Sequence, residues 1–456
     1  MAEELKNDNT MAEGTIWKKM LGFFFPILLG TFFQQMYNTV DALIVGRTLG
    51  ESALAAVGGS AGIITSTVVG FFMGLTSGAS IIAAQMLGAR DRKSVNDSIH
   101  TIYAFSLIAG VILAVVGIVL TENMLHWLNT PAALIEDSAE YLWIYFAGLV
   151  FVLIYNTGAS ILRSLGDAKS PFIYLIICCV INVVLDYVLI VYGHMGIAGA
   201  SAATVIAQAI SAVLVTIRLM RFREVCDFRM KQIRVHKKML KRELMLGLPG
   251  GIQSAMYCIS GLISMAALNA FGETPVASWT AFSKFDALFW MISGAMGVTI
   301  TTFVGQNFGA GNFDRIHKGV RIMNWTYVFV ALASTVLFIV FRVQLFRIFV
   351  ESQEAIDIGC RMLMIIGPFY ILNIHIENYS GALRGVGDTV APMMISIFGV
   401  CVFRVIYLTV LMPIYNSLDL LCLMYPISWA ITNTLYLIYY PIRMRKLVKH
   451  ESCNAG

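Results

Sequence analysis

Twelve apolar runs, each roughly 20 residues or more, succeed one another along the chain from 20–46 through 418–440. Hydrocarbon offers backbone groups no water, so a chain that crosses it must close its own hydrogen bonds, either as helices or as a sealed barrel. The runs are continuous rather than alternating, which selects helices and excludes the barrel. With 58% hydrophobic and 13% charged residues, the composition lies far outside soluble usage. The expected fold is an all-α integral membrane protein of twelve transmembrane helices. The first fifteen residues carry Glu3, Glu4, Asp8 and Glu13, which fits no basic, cleavable leader; the first apolar run is expected to stay.

Charge orients the spans. With the N-terminus inside, only Arg47, Arg342, Arg347 and Arg361 fall on outward-facing connections, Lys284 and Arg404 fall within spans, and the remaining Lys and Arg face inward. Both termini are therefore expected in the cytoplasm of a cell-membrane protein. The connection at 221–243 is dense in Lys and Arg and reads as a cytoplasmic linker against anionic lipid rather than a nucleic-acid site. It divides a lobe at 16–220 from one at 244–442, with cytoplasmic tails at 1–15 and 443–456.

These halves repeat each other. Leu162-Arg163, Gly166-Asp167 and Pro171 recur as Leu383-Arg384, Gly387-Asp388 and Pro392, all at an offset of 221, and Gln85, Gly88 and Ala89 recur as Gln306, Gly309 and Ala310 at the same offset. Each repeat holds an even number of spans, so both enter from the same side. The expectation is two six-helix lobes related by a pseudo-two-fold axis along the membrane normal, an arrangement suited to alternating access.

The run Val40-Asp41-Ala42-Leu43-Ile44-Val45-Gly46-Arg47, the stretch Gly78-Ala79-Ser80 to Gln85 and the doubled Leu-Arg-x-x-Gly-Asp motif resemble the multidrug and toxic compound extrusion (MATE) family over about 15–445. The resemblance implies a central cavity and efflux of organic cations in exchange for protons or sodium ions.

Within the first half the intramembrane polar residues form a layer. Asp41 precedes Gly50, Asp186 precedes His194 and Thr204 follows it at separations that put all three roughly 12–15 Å below the outer surface. Asn182 lies one turn from Asp186 on the same face, and Asn156 projects from the fourth span. Two carboxylates, two amides and a hydroxyl form a candidate ion-coupling and substrate-binding site, because a carboxyl removed from water and set near a second carboxyl can exchange a proton near neutral pH. The Asp41, Asn182, Asp186 and Thr204 pattern is similar to the proton-linked site of the DNA-damage-inducible (DinF-like) branch, so the coupling ion is expected to be a proton, with sodium as the alternative.

In the second half Asp186 maps to Tyr407 and Asn182 to Phe403. The acidic residues that the often sodium-coupled branch carries in its seventh and tenth spans are replaced by Tyr257 and Asn373, although Glu377 stands one turn from Asn373. Tyr257, Lys284, Glu377 and Arg404 are candidates for a second-lobe cavity, with Glu377 and Arg404 as a possible ion pair. Met36, Tyr37, Met256 and Tyr257 are candidates for an adaptable apolar pocket. Gly70, Gly74 and Gly78 recur on one face of the second span and are expected to permit close helix packing. Pro26 is expected to kink the first span.

Other classes are excluded or weakened. Gly58-Gly59-Ser60-Ala61-Gly62 matches a nucleophile pattern but opens a helical span rather than a strand-to-helix turn, so no enzyme is expected. No P-loop is present, His375-Ile376-Glu377 lacks metal-ligand spacing, and Cys178, Cys179, Cys226, Cys258, Cys360, Cys401, Cys422 and Cys453 lie mostly in apolar runs. Neither cofactor, metal nor disulfide is expected. The reading is a monomeric secondary exporter of small organic cations or other amphipathic drugs, contacting membrane lipids; a lipid-linked precursor flippase is the alternative.

Overall fold

The computed structural model describes residues 10–223 and 225–454, without the side chains of 450–454. Glu3, Glu4, Asp8 and the Cys453 side chain therefore lie outside the described residues. All regular elements among the described residues are helical. Eleven helices are long and apolar enough to span a bilayer, and the pair Ala132–Ala147 and Leu149–Ser164, bent by 54°, makes the twelfth. The first to third spans are Ile16–Leu49, Glu51–Gly88 and Arg92–Trp127; the bent pair is the fourth, and Lys169–Tyr192 and Gly196–Arg221 are the fifth and sixth. The seventh to twelfth are Lys237–Asn269, Glu273–Gly309, Phe313–Val340, Gln353–Gly385, Val390–Val410 and Leu418–Lys449.

Both halves break their fourth span at the same place in the repeat. In the first half the break falls at Gly148; in the second, a 3₁₀ turn at Gly367–Phe369 carries Pro368, which cannot donate to the helix ladder. The first span, by contrast, runs as one helix through Pro26.

The repeated Leu-Arg-x-x-Gly-Asp motif is a helix stop joined to a helix start. Gly166 and Gly387 take φ of +93° and +87°, conformations open to glycine. The backbone N–H groups of Asp167 and Asp388 donate to the Leu162 and Leu383 carbonyls, each at 2.9 Å, closing the last turn as helix C-termini commonly do. Each Asp side chain then anchors the start of the next helix. Asp167 accepts from Ser170 N at 3.0 Å and Ser170 Oγ at 2.7 Å and pairs with Arg218 at 2.8 Å. Asp388 accepts from Ala391 N at 3.4 Å and from Tyr439 Oη at 2.8 Å, and its carboxylate forms an ion pair with Arg443, 2.9 Å from Nε. The motif recurs because the same turn is made twice.

The chain forms two compact units, one built from Leu21–Gly251 and the other from Ala12–Met20 together with the chain from Ile252 on. In the first unit, one buried cluster gathers Ile99, Tyr103, Leu162, Leu175, Val215 and Phe228, and a second gathers Val45, Leu125, Leu142, Phe146 and Ile190. Along the fifth span Leu175 and Cys179 belong to the first cluster and Ile190 to the second; Asn182 and Asp186 lie between. The linker joins the first cluster through Val225, Cys226 and Phe228, and its backbone is held by side chains of the third span, Asp227 N donating to Asn96 Oδ1 at 2.8 Å and His236 N to Thr101 Oγ1 at 3.2 Å.

Two of the three second-span glycines serve a close crossing. A Cβ on Gly74 would lie 2.4 Å from Gly251 N, and one on Gly78 would lie 2.0 Å from the Glu243 carbonyl oxygen. Gly247 answers from the seventh span, where a Cβ would meet Leu75 O at 1.7 Å. Backbone thus packs directly on backbone. Gly70 departs from the expectation: nothing lies within 4 Å of the position its Cβ would take.

Candidate functional site

The polar layer of the first unit is assembled by the first, fifth and sixth spans, with tyrosines from the first and fourth around it. The fifth supplies Asn182 and Asp186, both fully buried. Their spacing sets them one above the other on a single face. Regular α-helical geometry ends at Asp186 and a π-helical turn, Tyr187–Tyr192, follows; such widened turns recur at functional sites. Thr204, buried on the sixth span, accepts a long hydrogen bond of 3.5 Å from Asn182 Nδ2. From the first span, the half-buried Asp41 brings its carboxyl within hydrogen-bonding reach of Asp186.

Asp41, Asn182, Asp186 and Thr204 are thus neighbours. Asn156 turns to its own helix, donating from Nδ2 to the Val152 carbonyl at 2.8 Å.

The defining property of this site is a surplus of acceptors. Asp41 Oδ1, both carboxyl oxygens of Asp186 and Asn182 Oδ1 are buried and receive no donor among the described residues. Ionised carboxylates and amide oxygens cannot satisfy one another, and buried polar atoms are rarely left so. A proton held between the two carboxyls resolves the conflict, because one then donates to the other; a small cation resolves it by coordination. Chemically, this arrangement can take up a positive charge.

Tyrosines surround it. Tyr37, a pocket candidate from the sequence, and Tyr141 both lie within electrostatic reach of Asp41, and Tyr141 also of Asp186. The Tyr141 and Tyr145 rings stack with centroids 6.2 Å apart, and Ser201 Oγ fixes the Tyr141 backbone by donating to its carbonyl at 2.8 Å. Sequence reasoning missed Tyr141 and Tyr145; their i,i+4 spacing on the fourth span was the available signal.

In the second unit the proposed pairing of Glu377 with Arg404 is not formed. Glu377 pairs instead with Arg384, two turns further along the same helix, at 3.5 Å. Arg404 donates through Nε and Nη2 to Ser428 Oγ, each at 3.2 Å, and places its guanidinium over the Tyr425 ring, 4.3 Å from the centroid. A planar, weakly hydrated cation is stabilised by such an aromatic face without a carboxylate partner. Tyr257 Oη accepts from Gln253 Nε2 at 3.2 Å, and Asn373 Oδ1 accepts from Ser293 Oγ at 3.3 Å. Lys284 is exposed, whereas Asp286, two residues on, accepts from Tyr370 Oη at 2.6 Å and Trp290 Nε1 at 2.9 Å. The two side chains diverge, as residues two apart on a helix must. Asp286 is in this way supplied with donors, which Asp186 is not. The seven described cysteines are all free.

Comparison with known proteins gives this geometry a context. A family model described as MatE matches residues 26–188 and 249–410, one segment in each half. The probable multidrug resistance protein YoeA of Bacillus subtilis is 29% identical over 441 residues, 95% of each chain. The probable multidrug resistance protein NorM of Thermotoga maritima is 26% identical over 396 residues, 85% of this chain and 84% of that one. Among solved structures, the outward-facing conformation of a multidrug resistance MATE family transporter of the MOP superfamily superimposes with a TM-score of 0.88 at 22% identity, covering 98% of this chain and 99% of that one.

Proposed function

We propose that this chain, which belongs to the MatE family, is a secondary exporter that expels organic, cationic small molecules in exchange for inward-moving protons by alternating access. It is a multi-pass membrane protein. The names of its relatives, multidrug resistance and multidrug export proteins, support drug-like substrates and favour export over the flippase alternative. The distribution of Lys and Arg supports a cell-membrane location with both termini in the cytoplasm.

The observation that carries the mechanism is the acceptor surplus at Asp41, Asn182 and Asp186. A proton entering from outside is shared by the two carboxyls and favours the conformation that holds them buried. A cationic substrate competes for the same negative charge, so the two occupy the protein in turn. Each occupant moves the equilibrium only by its difference in affinity for the two conformations. One elementary charge moving through 100 mV supplies about 2.3 kcal/mol, sufficient for roughly fifty-fold accumulation at full coupling. The acceptor-rich site in the first unit, set against an Asp286 already supplied with donors, favours proton coupling through the first half and the DNA-damage-inducible branch.

Proton release on substrate binding tests this directly. Adding a fluorescent organic cation to the detergent-purified protein in weak buffer should release protons in proportion to bound cation. Asp186→Asn should abolish the release. Undiminished release from the variant would refute the assignment.

A further inference from the structure

Another buried carboxyl stands apart from the polar layer, on the linker side of the first unit. Glu243, near the start of the seventh span, is 0% exposed. Its Oε1 accepts from Ser98 Oγ of the third span at 2.6 Å, and its Oε2 is buried without a partner among the described residues. The second span meets it with backbone: Gly78 approaches so closely that a Cβ there would lie 2.0 Å from the Glu243 carbonyl oxygen.

Among the described residues no cation faces this carboxyl. Lys241 and Arg242, its neighbours on the same helix, are exposed. Arg234 and His236 of the linker are engaged with Asp97, at 4.0 and 3.3 Å. His100 holds its own helix backbone at Asn96 O, 2.7 Å away, and receives Arg229 N at 3.3 Å. The second span contributes Gly74, Leu75 and Gly78 to this crossing, none of which titrates. A fully buried, ionised carboxylate with one hydroxyl donor and no counterion among the described residues is strongly disfavoured, whereas the neutral acid is tolerated.

We propose that Glu243 is a proton-operated latch on the linker side: it is neutral while the start of the seventh span is seated against the second and third spans, and it ionises when that seam parts and water reaches it. Ser98 is the positioning residue, holding the carboxyl in the seam. Reseating takes a proton up and parting releases it, so alkaline conditions on the linker side favour the parted form. For one linked proton the seated-to-parted ratio falls tenfold per pH unit once the exposed carboxyl is ionised. The proposal uses the alternation of conformations put forward above, but neither the identity of the coupling ion nor Asp186.

Hydrogen exchange followed by mass spectrometry on the full-length protein in lipid nanodiscs, from about pH 6 to about pH 9 and corrected for intrinsic exchange, reads the seam through peptides covering 72–80, 94–102 and 240–250. The wild type should lose protection in all three, approaching tenfold per pH unit. Glu243→Gln should keep it at every pH, and Asp186→Asn, whatever it does to the populations of the two conformations, should retain the pH dependence that Glu243→Gln lacks. Equal pH dependence in the wild type and Glu243→Gln, or none in either, overturns the latch. A carboxylic-acid carbonyl stretch in the infrared spectrum at neutral pH that disappears in Glu243→Gln is the independent check; its absence from the wild type also overturns the proposal. A transporter driven by sodium that nonetheless shows this switch would refute proton coupling at Asp186 and leave the latch standing.

Discussion

Replacing Gly78 by alanine adds one methyl group at the tightest crossing in the first unit. The new Cβ would stand 2.0 Å from the Glu243 carbonyl oxygen and 2.6 Å from Gly247 N, and ordinary contact begins near 3.4 Å, so the two helices must separate by about 1.4 Å. Both obstructing atoms are backbone and cannot rotate away. Overpacking of a well-filled interior costs about 1–3 kcal/mol; with backbone on both sides the upper value applies. About 3 kcal/mol corresponds to a shift of roughly 150-fold against the seated arrangement. Gly70→Ala, two turns earlier on the same helix, meets nothing within 4 Å and should be neutral or stabilising by up to about 1 kcal/mol, through helix propensity alone. Thermal unfolding in detergent, combined with hydrogen exchange over 237–251, separates the cases: Gly78→Ala should melt earlier and exchange faster there, and Gly70→Ala should do neither. Equal behaviour of the two variants would refute the reasoning.

The repeated turn motif gives a second test: Asp167→Asn, which removes the Arg218 ion pair while leaving an oxygen for Ser170, should cost about 1–3 kcal/mol in thermal stability, and an unchanged melting temperature would count against the pairing. Thr204→Val removes the Asn182 partner and should weaken cation-driven proton release several-fold with protein yield unchanged. At the start of the third span, Asp91 accepts from Ser94 N at 3.0 Å, and hydrogen bonds from the Ser94 side chain and then its backbone hold the Asp91 carboxyl below the usual carboxylate range. The cap's contribution, about 0.5 kcal/mol for so exposed a group, is present at neutral pH and lost as pH falls through that lowered value. The difference in melting between wild type and Asp91→Ala should therefore vanish in acid, and a difference that grows in acid would contradict it.

Much of this was legible in the sequence because a bilayer leaves few options. Long apolar runs must be helices, and a constant 221-residue offset must be a repeat. The polar layer was legible for a related reason: helical rise converts distance from a loop into depth, which placed Asp41, Asp186 and Thr204 together. Side-chain direction was not. Asn156 sits on the right span but bonds its own backbone, and Arg404, matched with Glu377 by depth alone, prefers an aromatic face and a hydroxyl. Depth says which residues share a level, and rotation about each helix decides which of them meet. Glu243 was missed because it falls at the edge of a Lys/Arg-rich segment, where a carboxylate reads as one more solvated charge; its burial follows from the glycines opposite it.

The central claim, that Asp41 and Asp186 couple proton entry to export, is tested most directly in liposomes. Protein reconstituted with a fluorescent organic cation would be energised by an imposed proton gradient or an imposed sodium gradient, comparing wild type with Asp186→Asn. The account predicts transport driven by protons and lost in the variant; transport driven by sodium and indifferent to Asp186 would contradict it and move the coupling site toward Glu377.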